Sequence, residues 1–250
     1  MRTYEFSYKL SSNLPSHTFN HLDEGYALDW NQTNKKLLSA DNKGHIHVWD
    51  INNSGWQVNQ TPYLGHTSSV EDIHWQPQSE FTFCSVSSDK SMNIFDTRNG
   101  FSPVIKIPDA HENDINVMSW SHVNTNLIVT GGDDCATKIW DCRTLQNQDQ
   151  KTSIAAVKFH SKPITSIDWH PTQDGVFVAA GEDDKVTIWD FGVETESVDK
   201  DLGSEIPQQL LFIHAGHQQY KEVRWDRQKP GVLRGVFFGV STCIYFINNL

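Results

Sequence analysis

"TGGDDCATKIWDCRTL", residues 130–145, places a turn with two adjacent aspartates before a short apolar run that ends in Trp140 and Asp141. The acids and Cys135 would suit either a reactive site or one copy of a structural unit. Three other segments follow the same pattern, namely SADNKGHIHVWD (39–50), SVSSDKSMNIFD (85–96) and AAGEDDKVTIWD (179–190). The stretch is therefore one copy of an internal repeat, and the repeat decides the fold.

A second pattern recurs in step with the first. A histidine stands nine residues before a tryptophan in four places, and a looser fifth copy follows: His21/Trp30, His66/Trp75, His111/Trp120, His160/Trp169 and His217/Trp225. Both patterns have a period of about 45 residues. They divide the chain into an N-terminal segment, 1–13, and a repeat region, 14–250, with approximate repeats at 21–65, 66–110, 111–159, 160–216 and 217–250.

Each repeat contains short runs of strand-forming residues. In the third copy these are DINVMSW, NLIVTGG, ATKIWD and SIAAVKF, separated by Asn, Asp, Gly or Ser turns. The pattern predicts four antiparallel strands per copy and an all-β fold. Because a single four-stranded sheet cannot bury both of its faces, successive copies are expected to stack face to face around an axis.

The repeat length and the Gly-His…Trp-Asp signature resemble the WD40 β-propeller family. The resemblance implies about five four-stranded blades within residues 14–250. The five blades could close into a ring of their own, since an N-terminal strand can complete a last blade. Alternatively they form a partial ring of a seven-bladed propeller that lacks its N-terminal part.

In the WD40 family, a histidine, a strand hydroxyl, an aspartate and a tryptophan form a buried hydrogen-bonded tetrad in each blade. The resemblance implies a complete tetrad in the third copy and partial ones in the second, where Phe95 replaces the indole, and in the fourth, where Ala179 replaces the hydroxyl. In the first copy Lys43 stands at the aspartate position, so a broken network is expected there. The expected members are His66, Ser85, Asp89, His111, Thr130, Asp134, Trp140, His160, Asp183 and Trp189.

The same histidines and aspartates could in principle bind a metal or act in acid–base catalysis. They recur once per repeat and so lie in different blades, whereas a catalytic or metal site gathers its groups in one place. The sequence also contains no P-loop, dinucleotide-binding glycine fingerprint, nucleophile elbow or zinc-protease motif. We therefore expect no enzymatic activity, no cofactor and no metal.

The charge and apolar content of the chain indicate which classes of partner it can bind. The chain has 250 residues, with 31 Asp and Glu against 20 Lys and Arg, for a formal net charge of −11. Such a surface repels nucleic-acid phosphates and favours a basic protein, so no direct nucleic-acid binding is expected. No run approaches the roughly 20 apolar residues of a membrane helix, so no membrane association is expected either.

Three stretches carry a closer resemblance: HLDEGYALDW, GHTSSVEDIHW with IPDAHENDINVMSW, and IPQQLLFIHAGH. They resemble the glutamate-rich WD-repeat proteins of ribosome assembly, which are relatives of the histone-binding WD-repeat proteins. The resemblance implies a non-enzymatic scaffold or chaperone in biogenesis of the large ribosomal subunit. It implies a basic large-subunit ribosomal protein of the L-three type as partner, histones as a second class, and a nuclear and nucleolar location, with the cytoplasm as a further compartment.

Two features are candidate partner-binding sites. The first is the longest connection, 191–207, which carries Glu194, Glu196, Asp199, Asp201 and Glu205 and precedes LLFIHAGH (210–217). In related histone-binding propellers an acidic loop before such a strand helps to bind a histone helix, so the resemblance implies a basic partner here. The second is the pair Arg98 and Arg143, each two residues after a strand-end aspartate. Some WD40 proteins use arginines at such strand ends to dock on ubiquitin-ligase adaptors. The resemblance therefore implies an alternative function, a substrate receptor of a cullin-type ubiquitin ligase.

Overall fold

A computed structural model describes residues 21, 23–52, 55–146, 152–192, 207–216, 218–229, 231–237 and 240–245. For residues 52 and 240–245 only the backbone is described. These residues form strands, turns and one short helix, so the predicted all-β fold is confirmed. The chain divides into two compact units, Met1–Asp109 and Ala110–Leu250.

The first unit contains two four-stranded antiparallel sheets, each with its strands in chain order. The first sheet has β1 (Leu28–Asn31), β2 (Lys36–Ala40), β3 (Ile46–Asn52) and β4 (Gly55–Val58). The second sheet has β5 (Val70–Trp75), β6 (Thr82–Ser87), β7 (Met92–Asp96) and β8 (Ile105–Ile107).

The second unit contains the other three sheets, which are also antiparallel. The third sheet has β9 (Ile115–Trp120), β10 (Leu127–Gly132), β11 (Thr137–Asp141) and β12 (Ala155–Val157), with helix α1 (Cys142–Leu145) after β11. The fourth has β13 (Ile164–Trp169), β14 (Val176–Gly181), β15 (Val186–Asp190) and β16 (Leu210–His214). In the fifth, the described strands are β17 (Tyr220–Trp225), β18 (Val232–Phe237) and β19 (Val240–Tyr245).

The turn between the second and third strands has the same backbone form in three sheets. Lys90, Cys135 and Asp184 follow the tetrad aspartates and have φ angles of 66°, 62° and 62°, in the left-handed region. This region is uncommon for residues other than glycine, and the surrounding strands must hold it. The strained turn places the preceding aspartate side chain beneath the sheet end, where it can reach a histidine.

Within each unit, neighbouring sheets pack through their apolar faces. In the first unit Ile73 and Trp75 of β5 belong to one buried cluster with Leu38 and Val48 of the first sheet. Corresponding clusters join the third sheet to the fourth and the fourth to the fifth. Repeated burial of this kind is what makes a stack of otherwise two-faced sheets stable.

Within each unit, the first strands of neighbouring sheets are also joined by hydrogen bonds. The backbone N–H of Trp75 donates to Asp29 Oδ2 at 2.7 Å, and that of Trp225 donates to Asp168 Oδ2 at 2.9 Å. The backbone N–H of Trp169 donates to Ser119 Oγ at 3.3 Å. In each case the acceptor is the residue just before the tryptophan of the preceding repeat, so one sequence position fixes the spacing of adjacent sheets.

Candidate functional site

The third sheet contains the complete polar network. His111 Nδ1 lies 3.0 Å from both Asp134 carboxylate oxygens, and its Nε2 lies 2.7 Å from Thr130 Oγ1. The Trp140 indole N–H donates to the same hydroxyl at 2.9 Å. All donors are satisfied when the proton of His111 is on Nδ1, because Thr130 then donates to Nε2 and accepts from Trp140. The network is buried, and it ties the segment before β9 to β10, β11 and the turn between them.

Asp134 is ionised throughout the physiological range. Burial alone would raise its pKa, but the hydrogen bond from His111 and the backbone N–H groups of Ala136 and Glu112 lower the pKa to about 2. In the second sheet the pKa of Asp89 is also well below its usual range, since His66, Ser91 and a backbone N–H outweigh burial. These carboxylates act as fixed hydrogen-bond acceptors and are poor proton donors near neutral pH.

The second sheet has a modified network. His66 lies 3.2 Å from Asp89 through Nδ1 and 2.7 Å from Ser85 Oγ through Nε2. Phe95 supplies no indole donor, and the side-chain nitrogen of the fully buried Asn93 lies 3.2 Å from both ring nitrogens of His66. Asn93 stands two residues before the aromatic residue, at the position that His47, Lys138 and Thr187 take in the other copies.

In the fourth sheet the hydroxyl comes from Thr187, which was not among the predicted members of the network. His160 Nδ1 lies 2.8 Å from Asp183 Oδ1, and His160 Nε2 lies 2.9 Å from Thr187 Oγ1. The Trp189 indole donates to Thr187 Oγ1 at 2.8 Å. Thr187 is the cross-strand partner of Ala179, so it delivers the missing hydroxyl from the neighbouring strand. The sequence feature that could have identified Thr187 is its position two residues before the tryptophan.

The prediction of a broken network in the first sheet was wrong. His21 Nε2 lies 2.7 Å from Ser39 Oγ, which also accepts from the Trp49 indole at 2.8 Å, and His21 Nδ1 lies 3.3 Å from Asp41 Oδ2. Asp41 stands two residues before Lys43 and reaches the histidine from an earlier position in the turn. The backbone N–H groups of Lys43 and His45 donate to Asp41 Oδ1, so the carboxylate also fixes the turn.

The four networks lie in four different sheets and do not converge. Among the described residues, no group of three or more His, Cys, Asp or Glu is placed to hold a metal ion. Cys135 and Cys142 are free thiols, and burial raises the pKa of Cys142 to about 12, which makes it a weak nucleophile. Each network therefore braces its own sheet through buried hydrogen bonds.

Arg98 and Arg143 close the ends of β7 and β11. Arg98 donates to both carboxylate oxygens of Asp96, at 2.9 and 2.6 Å, and its guanidinium lies 4.6 Å from the centre of the Phe81 ring. Arg143 makes the same paired contact with Asp141, at 3.0 and 2.6 Å. Both arginines remain largely solvent-exposed. Each one neutralises a strand-end carboxylate and leaves one face of its guanidinium accessible.

The predicted acidic loop, with Glu194, Glu196, Asp199, Asp201 and Glu205, lies outside the described residues. The strand that follows it is β16, which pairs with β15 and completes the fourth sheet. In the described part of the chain, no helix is long and apolar enough to cross a membrane.

These sheets, with a Trp-Asp strand end and a histidine-centred network in each of several copies, define a protein built from WD40 repeats. The family model "WD domain, G-beta repeat" matches residues 9–50, 56–96, 102–141 and 151–190, and the chain belongs to this family. The resemblance drawn from the sequence is thereby confirmed.

Among individual proteins, the chain is similar to the ribosome assembly protein rrb1 of Schizosaccharomyces pombe, with 39% identity over 94% of this chain and 50% of that protein. It is 36% identical to the protein HEAT STRESS TOLERANT DWD 1 of Arabidopsis thaliana, over 85% of this chain and 47% of that protein. Histone-binding protein MSI1 of Saccharomyces cerevisiae is 23% identical over 86% of this chain and 48% of its own length. The chain spans about half the length of these curated relatives.

Proposed function

We propose that this protein is a non-enzymatic scaffold that binds a basic large-subunit ribosomal protein during ribosome assembly. The observation that carries the proposal is the 39% identity to a ribosome assembly protein over 94% of the chain. The four polar networks support it, since they rigidify the sheets and provide no convergent reactive group. Ribosome assembly begins where ribosomal RNA is made, so the proposed location is the nucleus and nucleolus, with passage through the cytoplasm.

Charge gives the physical basis for binding. With a formal net charge of −11, the chain attracts a strongly basic partner at a distance. The cluster Glu194, Glu196, Asp199, Asp201 and Glu205 concentrates that charge in one connection. Carboxylates of this kind raise the association rate and make it sensitive to salt.

Histones are the second proposed class of partner. The supporting observation is the similarity to histone-binding protein MSI1 and to histone acetyltransferase type B subunit 2 of Candida glabrata. Histones and ribosomal proteins share a high density of lysine and arginine, so one acidic surface can bind members of either class.

Docking on a ubiquitin-ligase adaptor stays a prediction. Arg98 and Arg143 are accessible, as docking requires, but each is already paired with an aspartate of its own sheet. An R98A/R143A double variant that keeps its fold and loses adaptor binding would support this alternative.

The proposed function is tested by capture of a purified basic large-subunit ribosomal protein at increasing salt. The variant E194Q/E196Q/D199N/D201N should weaken capture at least tenfold at low salt and flatten its salt dependence. The matched control E80Q/D109N/E112Q/E182Q removes four exposed acids elsewhere and should have a smaller effect. Capture that is insensitive to salt and equal in all three proteins would contradict the proposal.

A further inference from the structure

A groove lies between the third and fourth sheets, at the strand ends that carry Asp141 and Asp190. Its volume is about 430 Å³, and its apolar lining includes Leu127, Ile139, Ile154 and Trp169. Ile154 is 54% exposed, while Ile139 and Trp169 form the buried floor. A space of this size accommodates one or two large side chains.

One end of the groove is acidic and is shaped by two glycines. Asp174, Gly175 and Gly192 belong to its lining. A β-carbon built on Gly175 would lie 3.5 Å from Asp190 Oδ1, so the Asp190 carboxylate is next to this end. The groove therefore joins an apolar floor to two carboxylates, Asp174 and Asp190.

Comparison of the repeats shows what is unusual about Asp190. The equivalent strand-end aspartates each have a cation from their own sheet: Lys36 Nζ lies 3.6 Å from Asp50, and Arg98 and Arg143 hold Asp96 and Asp141. In the fourth repeat the residue two positions after the aspartate is Gly192. Within the described ranges, Asp190 has no ion pair, and its carboxylate accepts only from the Gly192 backbone N–H, at 2.7 Å.

We propose that this groove binds a peptide segment of a basic protein that carries an arginine beside a large apolar side chain. The arginine takes the place that Arg98 and Arg143 occupy in the second and third repeats, on Asp190 with Asp174 nearby. The apolar side chain packs on Ile139, Ile154 and Trp169. The inference rests on the proposed function, because it names the segment of a basic partner that one part of the surface selects.

Charge complementarity favours this occupant over a purely apolar one. Burying an apolar segment at this end would leave Asp190 close to a low-dielectric contact without a counter-charge, which is costly. A guanidinium supplies two parallel donors to a carboxylate and stacks on apolar surface. Phe191, which stacks on Phe177 at 5.6 Å between ring centres, keeps this end of the groove rigid.

The test uses the purified chain and a synthetic peptide, acetyl-Gly-Ser-Leu-Arg-Gly-Ser-amide. Binding is followed through the methyl NMR signals of Ile139 and Ile154, and a second peptide carries neutral citrulline in place of arginine. The arginine peptide should shift both methyl signals with saturation, and the citrulline peptide should bind at least tenfold more weakly. Equal binding of the two peptides would overturn the proposal.

The variant G192R supplies the missing arginine within the chain. It restores the spacing of Arg98 and Arg143, so its guanidinium should pair with Asp190 and reduce peptide affinity at least tenfold. A β-carbon at position 192 would press on Asp190 Oδ1, at 3.0 Å, so G192A would itself disturb this carboxylate. The matched control is T61R, which adds an arginine at an exposed position outside the groove and should bind like the unchanged chain. D190N removes the carboxylate charge and should reduce peptide affinity to the same extent. Thermal unfolding shows whether each variant folds. Undiminished binding by both G192R and D190N would refute the inference.

Other occupants give different results, each of which would overturn the proposal. Concentration-dependent shifts of Ile154 without peptide would indicate a second copy of this chain. Peptide binding that appears only after replacement of residues 193–206 by a short linker would indicate that the chain itself covers the groove. Failure of peptide binding with intact capture of the ribosomal protein removes only this inference, and the reverse outcome removes only the proposed function.

Discussion

In three of the networks a single hydroxyl group joins a histidine to a tryptophan, and Thr187 is the clearest case. It serves the His160 ring at 2.9 Å and the Trp189 indole at 2.8 Å, and it is fully buried. Replacing it with valine keeps the shape but leaves a buried indole donor and an imidazole nitrogen without partners. We expect T187V to lower the free energy of unfolding by about 2 kcal/mol, measured by urea denaturation.

A second substitution that restores a hydroxyl can show whether T187V destabilises the chain through its lost hydrogen bonds. Ala179 faces Thr187 across the sheet, at the position where Ser39, Ser85 and Thr130 stand in the other repeats. The double variant T187V/A179S should therefore recover at least half of the lost stability. The exposed T61V variant should change stability by less than about 0.5 kcal/mol. No recovery in the double variant would contradict the proposed role of the hydroxyl.

The Asp134 carboxylate couples stability to pH. Its pKa falls from 3.8 to about 2 in the folded chain, so the folded state binds fewer protons than the unfolded state in acid. The stabilisation, about 2 kcal/mol, is complete above about pH 5 and is lost as pH falls through the folded-state pKa. D134N should be less stable at pH 7 and show a flatter decline between pH 5 and pH 3, measured by urea unfolding. An unchanged pH profile would contradict this assignment.

Sequence spacing predicted most of the network members but not all of them. A fixed interval before the tryptophan located Asp89, Asp134 and Asp183, because their turns share one backbone form. It failed at Asp41, since a carboxylate two residues earlier can still reach the same imidazole. It also failed at Thr187, because a hydroxyl on the adjacent strand can replace one at position 179. Side chains at neighbouring positions can reach the same histidine, and a fixed sequence spacing does not detect such substitutes.

At the scale of elements, the turns between second and third strands are the strained points. Cys135 has a φ angle of 62° and immediately follows the tetrad aspartate. A glycine adopts this conformation freely, whereas a β-branched residue does so at a cost of about 1–2 kcal/mol. C135V should therefore be destabilised relative to C135A, and C135G should match or exceed C135A in thermal stability. A C135V variant as stable as C135G would show that the turn relaxes.

The strands could be predicted from the sequence, because alternating apolar and polar residues and the turn residues between them are visible within short stretches. In the third sheet each of the four strands lies within a run that was identified in the sequence, and the four strands predicted per copy are present in each of the first four sheets. Helix α1 was not predicted, because its four residues, Cys142–Leu145, are too few for a helical pattern. It forms because the Asp141 side chain caps it by accepting from the Arg143 backbone N–H.

At the scale of the whole molecule, two properties support a scaffold. The repeated sheets bury their polar networks separately, and the chain retains a formal charge of −11 for contact with other molecules. The choice between a closed five-blade ring and part of a seven-bladed propeller stays a prediction. The period of about 45 residues gives the length of one repeat, but it does not give the number of repeats in a ring.

Light scattering can test directly whether the chain binds and shields a basic ribosomal protein, as we propose. A purified basic large-subunit ribosomal protein is diluted into low-salt buffer with and without one equivalent of this chain, or of an unrelated protein of equal charge. We expect one equivalent of the chain to suppress aggregation, high salt to abolish the effect, and the unrelated protein to leave aggregation unchanged. Aggregation that proceeds unchanged, or that any equally acidic protein suppresses as well, would contradict it.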